Sequence, residues 1–432
     1  MRPHLLLLTI FLLLIAALAT LNGALLLLAL PFLLYFLADQ LTAPGAPQVT
    51  VSRMLAEKQA AAGTPIEVAV TITNRGSRLA ELEVRELLPP GLELVSGHAH
   101  WLLSLQAGEA RTLTYTVRGR RGVYRFHTLQ VTTHSQHDLI RHTTAFRQEE
   151  SLHYYPAAGD RRLRQIDIRP RRTHVYSGSV PVRAGGEGTD FYTVRRYQSG
   201  DPLRRINWKA SARTRDRLFT NDYEQERVAD VGIIVDVRRA SNLPHNGHSL
   251  LDYSVAAAAS LSAHFLGGGN RVALLNYGGF LDYTLPGYGR VQQRKILYAL
   301  TRARLGESAA FSALAALPTT LFPAGSQIVF ISPLLEDDVR FLRRLRARDY
   351  RVMVISPNPV IYEQALLEAR SDGVLSPDGI ELAARLMRAE RALLLRQLLQ
   401  SGIFALDWNV EETFEEAAAT QWRALRLLGA RL

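Results

Sequence analysis

The hydrophobic pattern along this chain changes period more than once, and each change marks a different kind of element. Residues 5–38 carry no charged side chain. At about 1.5 Å per residue, one helix of that length would reach roughly 50 Å, well beyond the ~30 Å hydrocarbon core of a bilayer. Asn22-Gly23 sits near the middle as a turn signal. The pattern therefore predicts a transmembrane helical hairpin, residues 5–21 out and 24–38 back. A single tilted span, or a cleaved signal peptide with its small residues near 16–19, are the alternatives. A hairpin returns the chain to its starting side. Arg2 and the Arg-rich body then share the cytoplasmic side, as the positive-inside tendency favours. Thr42-Ala43-Pro44-Gly45-Ala46-Pro47 reads as the linker that closes residues 1–47.

From 48 to 155 the period becomes two. Ile66-Glu67-Val68-Ala69-Val70-Thr71-Ile72 alternates and stops at Asn74-Arg75-Gly76. Leu82-Glu83-Val84-Arg85-Glu86-Leu87 does the same before Pro89-Pro90-Gly91, and residues 111–117 and 129–132 follow. Short strands between turn signals predict a small antiparallel β-sandwich resembling immunoglobulin-like modules. His98, His100, His134 and His137 have no carboxylate or thiol at ligand spacing in the sequence, so no metal site is expected there.

From 228 to 432 apolar runs alternate with helical segments. Strands are expected at 231–236, 271–276, 327–331, 351–355 and 403–406, with 280–285 as hairpin partner of the second. Helices are expected at 250–266, 291–304, 337–348, 380–400 and from 410 onward. That alternation predicts an α/β doubly wound sheet. Ligands in such sheets sit at the strand C-termini, where Asp236 stands.

Composition narrows the chemistry. There is no cysteine, which excludes disulfides, thiolate catalysis and sulfur-ligated zinc. No phosphate-binding loop G-x-x-x-x-G-K-S/T, no G-x-G-x-x-G and no G-x-S-x-G elbow occurs in the context each needs. Gly185-Gly186-Glu187-Gly188 reads as a flexible loop. Charge is concentrated: between Arg161 and Arg217 stand 15 Lys or Arg against 5 Asp or Glu, in a chain whose whole net charge is +11. The basic connector, residues 156–227, is therefore the candidate contact for an anionic surface. Gly200-Asp201 predicts a turn. Strand-like alternation would turn Ile206 and Trp208 into a seam and Arg205 and Lys209 outward. Arg204 and Arg213 are candidates to bridge Asp222, Glu224 or Glu226.

The connector also carries a long pattern: Asp190, Phe191, Arg195, Tyr197, Gly200, Asp201, Arg204, Ile206, Trp208, Lys209, Ser211, Ala212 and Arg213. It resembles the signature of the domain of unknown function 58 family of prokaryotic membrane proteins. The resemblance implies a von Willebrand A-like domain at 228–432, an inner-membrane anchor with cytoplasmic domains, and partnership with an AAA+ ATPase of the MoxR type. It implies no enzymatic activity and no cofactor. Von Willebrand A domains that bind Mg²⁺ use D-x-S-x-S after the first strand; here the run is Asp236-Val237-Arg238-Arg239-Ala240. A guanidinium beside the site repels Mg²⁺ and can pair with Asp236, so Asp236 and Arg238 are expected to form a degenerate site that holds no metal. The expectation is a non-enzymatic, membrane-anchored scaffold whose partners are the ATPase and membrane lipid, with neither nucleic acid nor a small-molecule substrate. The competing readings are a metal-dependent hydrolase using Asp236, and binding of an anionic polymer or lipid through the connector.

Overall fold

The computed structural model describes residues 3–42, 45–135, 140–156, 163, 166, 173–174, 180–214, 217–245, 248–278, 282–306, 321–370 and 377–427. Its contacts divide the chain into two units, Met1–Tyr155 and Pro156–Leu432.

The first unit opens with α1 (Pro3–Thr20) and α2 (Gly23–Thr42), which pack on each other. Leu21 reverses the chain with φ 49°, and Asn22 Oδ1 accepts from the Ala24 amide at 3.0 Å. Leu6, Ile10, Ala17 and Ala29 are buried while most other leucines face outward. By length and composition Gly23–Leu41 can cross a membrane; His4–Thr20 is a shorter apolar helix.

Nine strands follow: β1 (Val49–Leu55), β2 (Gln59–Ala61), β3 (Ile66–Asn74), β4 (Leu79–Glu86), β5 (Leu92–Gly97), β6 (His100–Leu105), β7 (Ala110–Gly119), β8 (Gly122–His134) and β9 (Arg141–Tyr155). They form a four-stranded sheet, β1-β3-β7-β5, and a five-stranded sheet, β2-β9-β8-β4-β6. Period two puts Ile66, Val68, Val70 and Ile72 on one buried face, and residues of both sheets share one apolar core. The sheets are not wholly antiparallel, as the sequence pattern suggested, because the short β2 runs parallel to β9. Arg53 lies on the inward face of β1 and pairs with Glu86 of the other sheet, Nη2 to Oε1 at 2.7 Å. Burial raises the Glu86 pKa, and the Arg53 charge opposes that rise.

The second unit begins with β10 (Thr173–His174) and β11 (Val180–Arg196), then α3 (Trp208–Ser211) and the long β12 (Phe219–Asp236). Both β10 and β11 pair antiparallel with the first part of β12. Residues 185–188, expected as a loop, therefore belong to a strand with an irregular register. The boundary expected at 228 falls inside β12, which runs without a break from the connector into the sheet. Then come the small hairpin β13 (Pro244–His245) and β14 (His248–Ser249), α4 (Leu250–Gly267), β15 (Arg271–Tyr277), β16 (Asp282–Gly287) and α5 (Gly289–Arg302). They are followed by β17 (Gln327–Ile331), α6 (Asp338–Ala347), β18 (Arg351–Pro357), α7 (Val360–Arg370), α8 (Pro377–Gln400), β19 (Phe404–Trp408) and α9 (Phe414–Leu427).

The sheet order is β16-β15-β12-β17-β18-β19. All neighbours are parallel except the β15–β16 hairpin. Both faces are covered, so β12 has no polar side between Val231 and Val235: Ile233 and Val235 belong to the core with α4 and α5, Ile234 to the core with α6. The chain leaves β12 for β15 on one side and reaches β17 on the other. The C-terminal end of β12 is thus the point where strand order reverses, and doubly wound sheets open a crevice there.

Candidate functional site

The connector is held to β12 by its own polar side chains. Gly200, at φ 108°, forms the turn, a conformation that glycine adopts without steric cost. Asp201 Oδ2 accepts from the Gln198 amide at 2.8 Å, and both Asp201 oxygens receive Arg195, at 2.8 and 2.7 Å. Arg195 Nε also reaches Asp222 at 3.3 Å. The Arg195 hydrogen bonds hold the Asp201 carboxyl below the ordinary aspartate range. Asn207 caps α3, its Oδ1 accepting from Ala210, and donates to Asn221 at 2.7 Å. Ser211 is buried and its Oγ accepts from the Phe219 amide.

Ile206 is buried where it bridges Thr220. Trp208 is not in a seam with it but 67% exposed. The reason is local geometry: residues 203–205 form a 3-10 turn and 208–211 a short helix, so strand alternation does not govern this segment. Arg205 is half-buried, whereas Leu203, Arg204, Lys209 and Arg213 face solvent and Tyr197 is half-buried. Asp222 is bridged by Arg195 rather than by Arg204 or Arg213, which pair with no carboxylate among the described residues. The side chains of Glu224 and Glu226 lie outside the described ones.

The second constellation lies at the switch point. Asp236 ends β12 and is fully buried. Its Oδ1 receives the Arg238 amide and Nε, each at 2.9 Å. Its Oδ2 receives Arg238 Nη2, Ser241 Oγ and Ser332 Oγ, each at 2.7 Å. Arg238 Nη2 also donates to both oxygens of Asp338, at 3.0 and 2.8 Å. Its guanidinium stacks over the Tyr277 ring at 4.9 Å. Asn242 ties the loop down through the Asp236 and Arg238 carbonyls. Adjacent strand ends thus contribute Tyr277, Asp236 and Ser332, and the start of α6 contributes Asp338. One detail makes room for the guanidinium. Gly278 has φ 115°, and a Cβ there would meet Arg238 Cγ at 2.5 Å. Leu334 is held at φ 71°, its amide donating to Ser332 Oγ, which marks local backbone strain supported by the site.

Electrostatically the cluster balances two buried carboxylates against one cation. Burial raises the Asp338 pKa, with the Arg238 charge opposing. Burial disfavours the charge on Arg238, but its bonds to Asp236 and the neighbouring carboxylates outweigh that and raise its pKa. The donor set does not fit Mg²⁺. A hard divalent ion needs carboxylate oxygens with free lone pairs, and both Asp236 oxygens are already occupied by N–H and O–H donors. A second arginine closes the same end of the sheet. Arg391 of α8 is buried, donating to Asp407 at 2.6 Å, to the Pro333 carbonyl at 3.1 Å and to Ser356 Oγ at 3.0 Å.

Several of these residues escape a linear reading. Asp338 is 100 positions from Arg238 and nothing local links them. Ser241 and Asn242 follow the β12 terminus closely enough to be suspected, and Asn207 before Trp208-Lys209-Ala210-Ser211 is a helix-capping signal. Glu83 receives His100 Nε2 at 2.7 Å on one oxygen and His134 Nε2 at 3.1 Å on the other. His100 and His134 therefore have a carboxylate partner after all, on a neighbouring strand rather than nearby in sequence. His137 lies outside the described residues.

Comparison with known proteins places these features in a family. The family described as "Protein of unknown function DUF58" matches residues 193–361, which hold the latter part of the connector and all of the Asp236 cluster. The uncharacterized protein YeaD of Bacillus subtilis is 30% identical over 212 residues, 48% of this chain and 52% of that protein. The uncharacterized protein Rv1480 of Mycobacterium tuberculosis is 28% identical over 141 residues, 32% of this chain and 43% of that one. The chain therefore spans about half the length of these relatives or less. A CARDB domain from Pyrococcus furiosus, solved with di-metal ions, aligns with 25% of this chain and 96% of that domain. Its 18% identity and TM-score of 0.18 carry nothing over to this protein. Residues 193–361, which hold the signature from Arg195 onward and the switch-point cluster, are similar to the DUF58 family.

Proposed function

We propose that this chain is a membrane-anchored, non-enzymatic interaction protein that works with an AAA+ ATPase of the MoxR type. In this reading the α/β unit is a von Willebrand A-like domain and the two-sheet unit is an immunoglobulin-like spacer. The helical pair anchors the chain in the inner membrane, with both units in the cytoplasm. The observation that carries the reading is the plugged crevice. At the edge where doubly wound sheets hold substrates and metals, Arg238 and Arg391 occupy the carboxylates and carbonyls from within. A site filled by its own guanidinium groups is built for rigidity, and recognition falls to the outer surface. On the connector that surface is Leu203, Arg204, Trp208 and Lys209, an exposed apolar and cationic strip suited to an acidic partner surface.

The test is co-purification of the ATPase with the full chain extracted in detergent. Arg204→Glu with Lys209→Glu should abolish it while leaving the unfolding midpoint unchanged. Retention of the ATPase would remove the connector as its docking face. Substrate turnover by the purified chain, or stoichiometric Mg²⁺ binding by calorimetry, would overturn the non-enzymatic reading.

A second reading is favoured by Trp208 and Leu203 standing exposed beside cations, a combination that also suits anionic headgroups. It predicts salt-sensitive binding of phosphatidylglycerol vesicles, lost in Trp208→Ala.

A further inference from the structure

We propose that the groove between β16 and the first turns of α5 docks an acidic, aliphatic-bearing peptide segment of a partner protein. The groove measures about 660 Å³ and is lined by Tyr283, Leu285, Pro286, Tyr288, Val291 and Lys295, among others. Tyr283, Leu285, Tyr288 and Val291 are all exposed. Single exposed apolar residues are ordinary, but four gathered around one concavity mark a contact surface.

The groove is preformed. Gln292 is buried, and its Nε2 donates to the carbonyls of Val272 at 2.8 Å and Leu285 at 2.7 Å. One side chain thus pins α5 to both strands of the hairpin. Gly287 permits this approach, since a Cβ there would meet Gln292 Oε1 at 2.5 Å. A site of fixed shape costs less ordering when it binds.

Charge selects the occupant. Lys295 lines the groove, Arg290 and Arg294 are exposed on the same helix next to the lining residues Val291 and Lys295, and none of the three pairs with a carboxylate among the described residues. Helix α5 has no acidic side chain in its sequence, and no side chain caps its first turn. Asp282 is the one carboxylate on β16, and Arg302 at the far end of the helix lies within 3.9 Å of it. The α5 side of the groove is therefore positive beside its apolar lining, complementary to a segment that alternates carboxylates with aliphatic side chains.

The main chain decides how such a segment binds. β16 is an edge strand, and edges invite an added strand. Here Pro286 has no N–H to offer and the Leu285 carbonyl already accepts from Gln292. A continuous ladder cannot run past Thr284, so recognition falls to side chains in the groove.

The experiment is selection of a displayed random 12-residue peptide library on the full chain in nanodiscs. Peptides recovered on a Val291→Glu, Arg294→Glu double variant are subtracted. Enriched peptides should combine acidic and aliphatic residues. One of them, fluorescently labelled, should bind in an anisotropy titration at least tenfold more weakly to Tyr288→Ala and to Lys295→Glu, with unchanged unfolding midpoints. No enrichment, enrichment without acidic bias, or equal binding to the variants overturns the proposal. So does a result in which the variants instead lose binding of an oligo-dT probe or of phosphatidylglycerol vesicles, which would assign the α5 side to phosphate.

Discussion

At the scale of single residues, Arg238 decides the character of the switch point. It supplies the only cation bonded to Asp236 and Asp338 among the described residues. Replacing it by leucine leaves two carboxylates buried without a counter-charge, which typically costs about 3–5 kcal/mol. Lysine does not restore it, because one ammonium cannot reproduce a planar fork spanning two carboxylates. Chemical denaturation should therefore rank wild type far above both variants. The pH dependence has a definite sign. Asp338 has a raised pKa in the folded chain, so its contribution to stability is present below its unfolded value and lost as pH rises through the folded one. Without Arg238 the opposing attraction disappears and that pKa rises further. Arg238→Leu should then regain stability on acidification from neutral pH towards about pH 5, more than wild type does. A variant equally unstable across that range would refute the assignment. This site was half legible in the sequence. Asp236 and Arg238 stand two positions apart at a strand end, so their pairing can be read from spacing. Asp338 arrives from another layer of the fold, and no periodicity encodes that meeting.

Among the elements, periodicity served well wherever burial is one-sided or complete and failed where side-chain hydrogen bonds set the geometry. Strand β3 and helix α4 follow their apolar patterns almost residue for residue. The connector does not. Its path is set by Asp201, Asn207 and Ser211 bonding to nearby backbone and to β12, which breaks the alternation that would have buried Trp208. Cross-strand partners were also invisible, as the Glu83 cluster shows. There the hydrogen bonds from His134 and His100 outweigh partial burial and lower the Glu83 pKa. A depressed carboxyl contributes stability above its unfolded value and loses it as pH falls through the folded one. The difference between wild type and Glu83→Gln should be present at neutral pH and vanish near or below about pH 4. Partial exposure of the cluster limits it to about 1 kcal/mol or less. Unfolding midpoints measured across pH would show a difference that does not close on acidification if the hydrogen bonds had some other role.

For the whole molecule, the order of parts was readable because each has its own hydrophobic period: unbroken, then two, then strand-helix alternation. The parallel pairing of β2 with β9 and the merging of connector and α/β region through β12 were not, since pairing partners leave no mark in a linear pattern. Two compact units, each with its own apolar packing, imply two separable cooperative blocks, each with its own buried arginine as a reporter. Arg53 joins the two sheets of the first unit through Glu86, and Arg238 joins the layers of the second. Arg53→Met leaves Glu86 buried without its cation, and Arg238→Leu does the same to Asp236 and Asp338. Hydrogen exchange read by mass spectrometry on the full chain in detergent can follow both blocks at once. Arg53→Met should speed exchange in strands β1 to β9 and spare β12 to β19, and Arg238→Leu should do the reverse. Equal acceleration of both blocks by either variant would mean that one transition governs the chain.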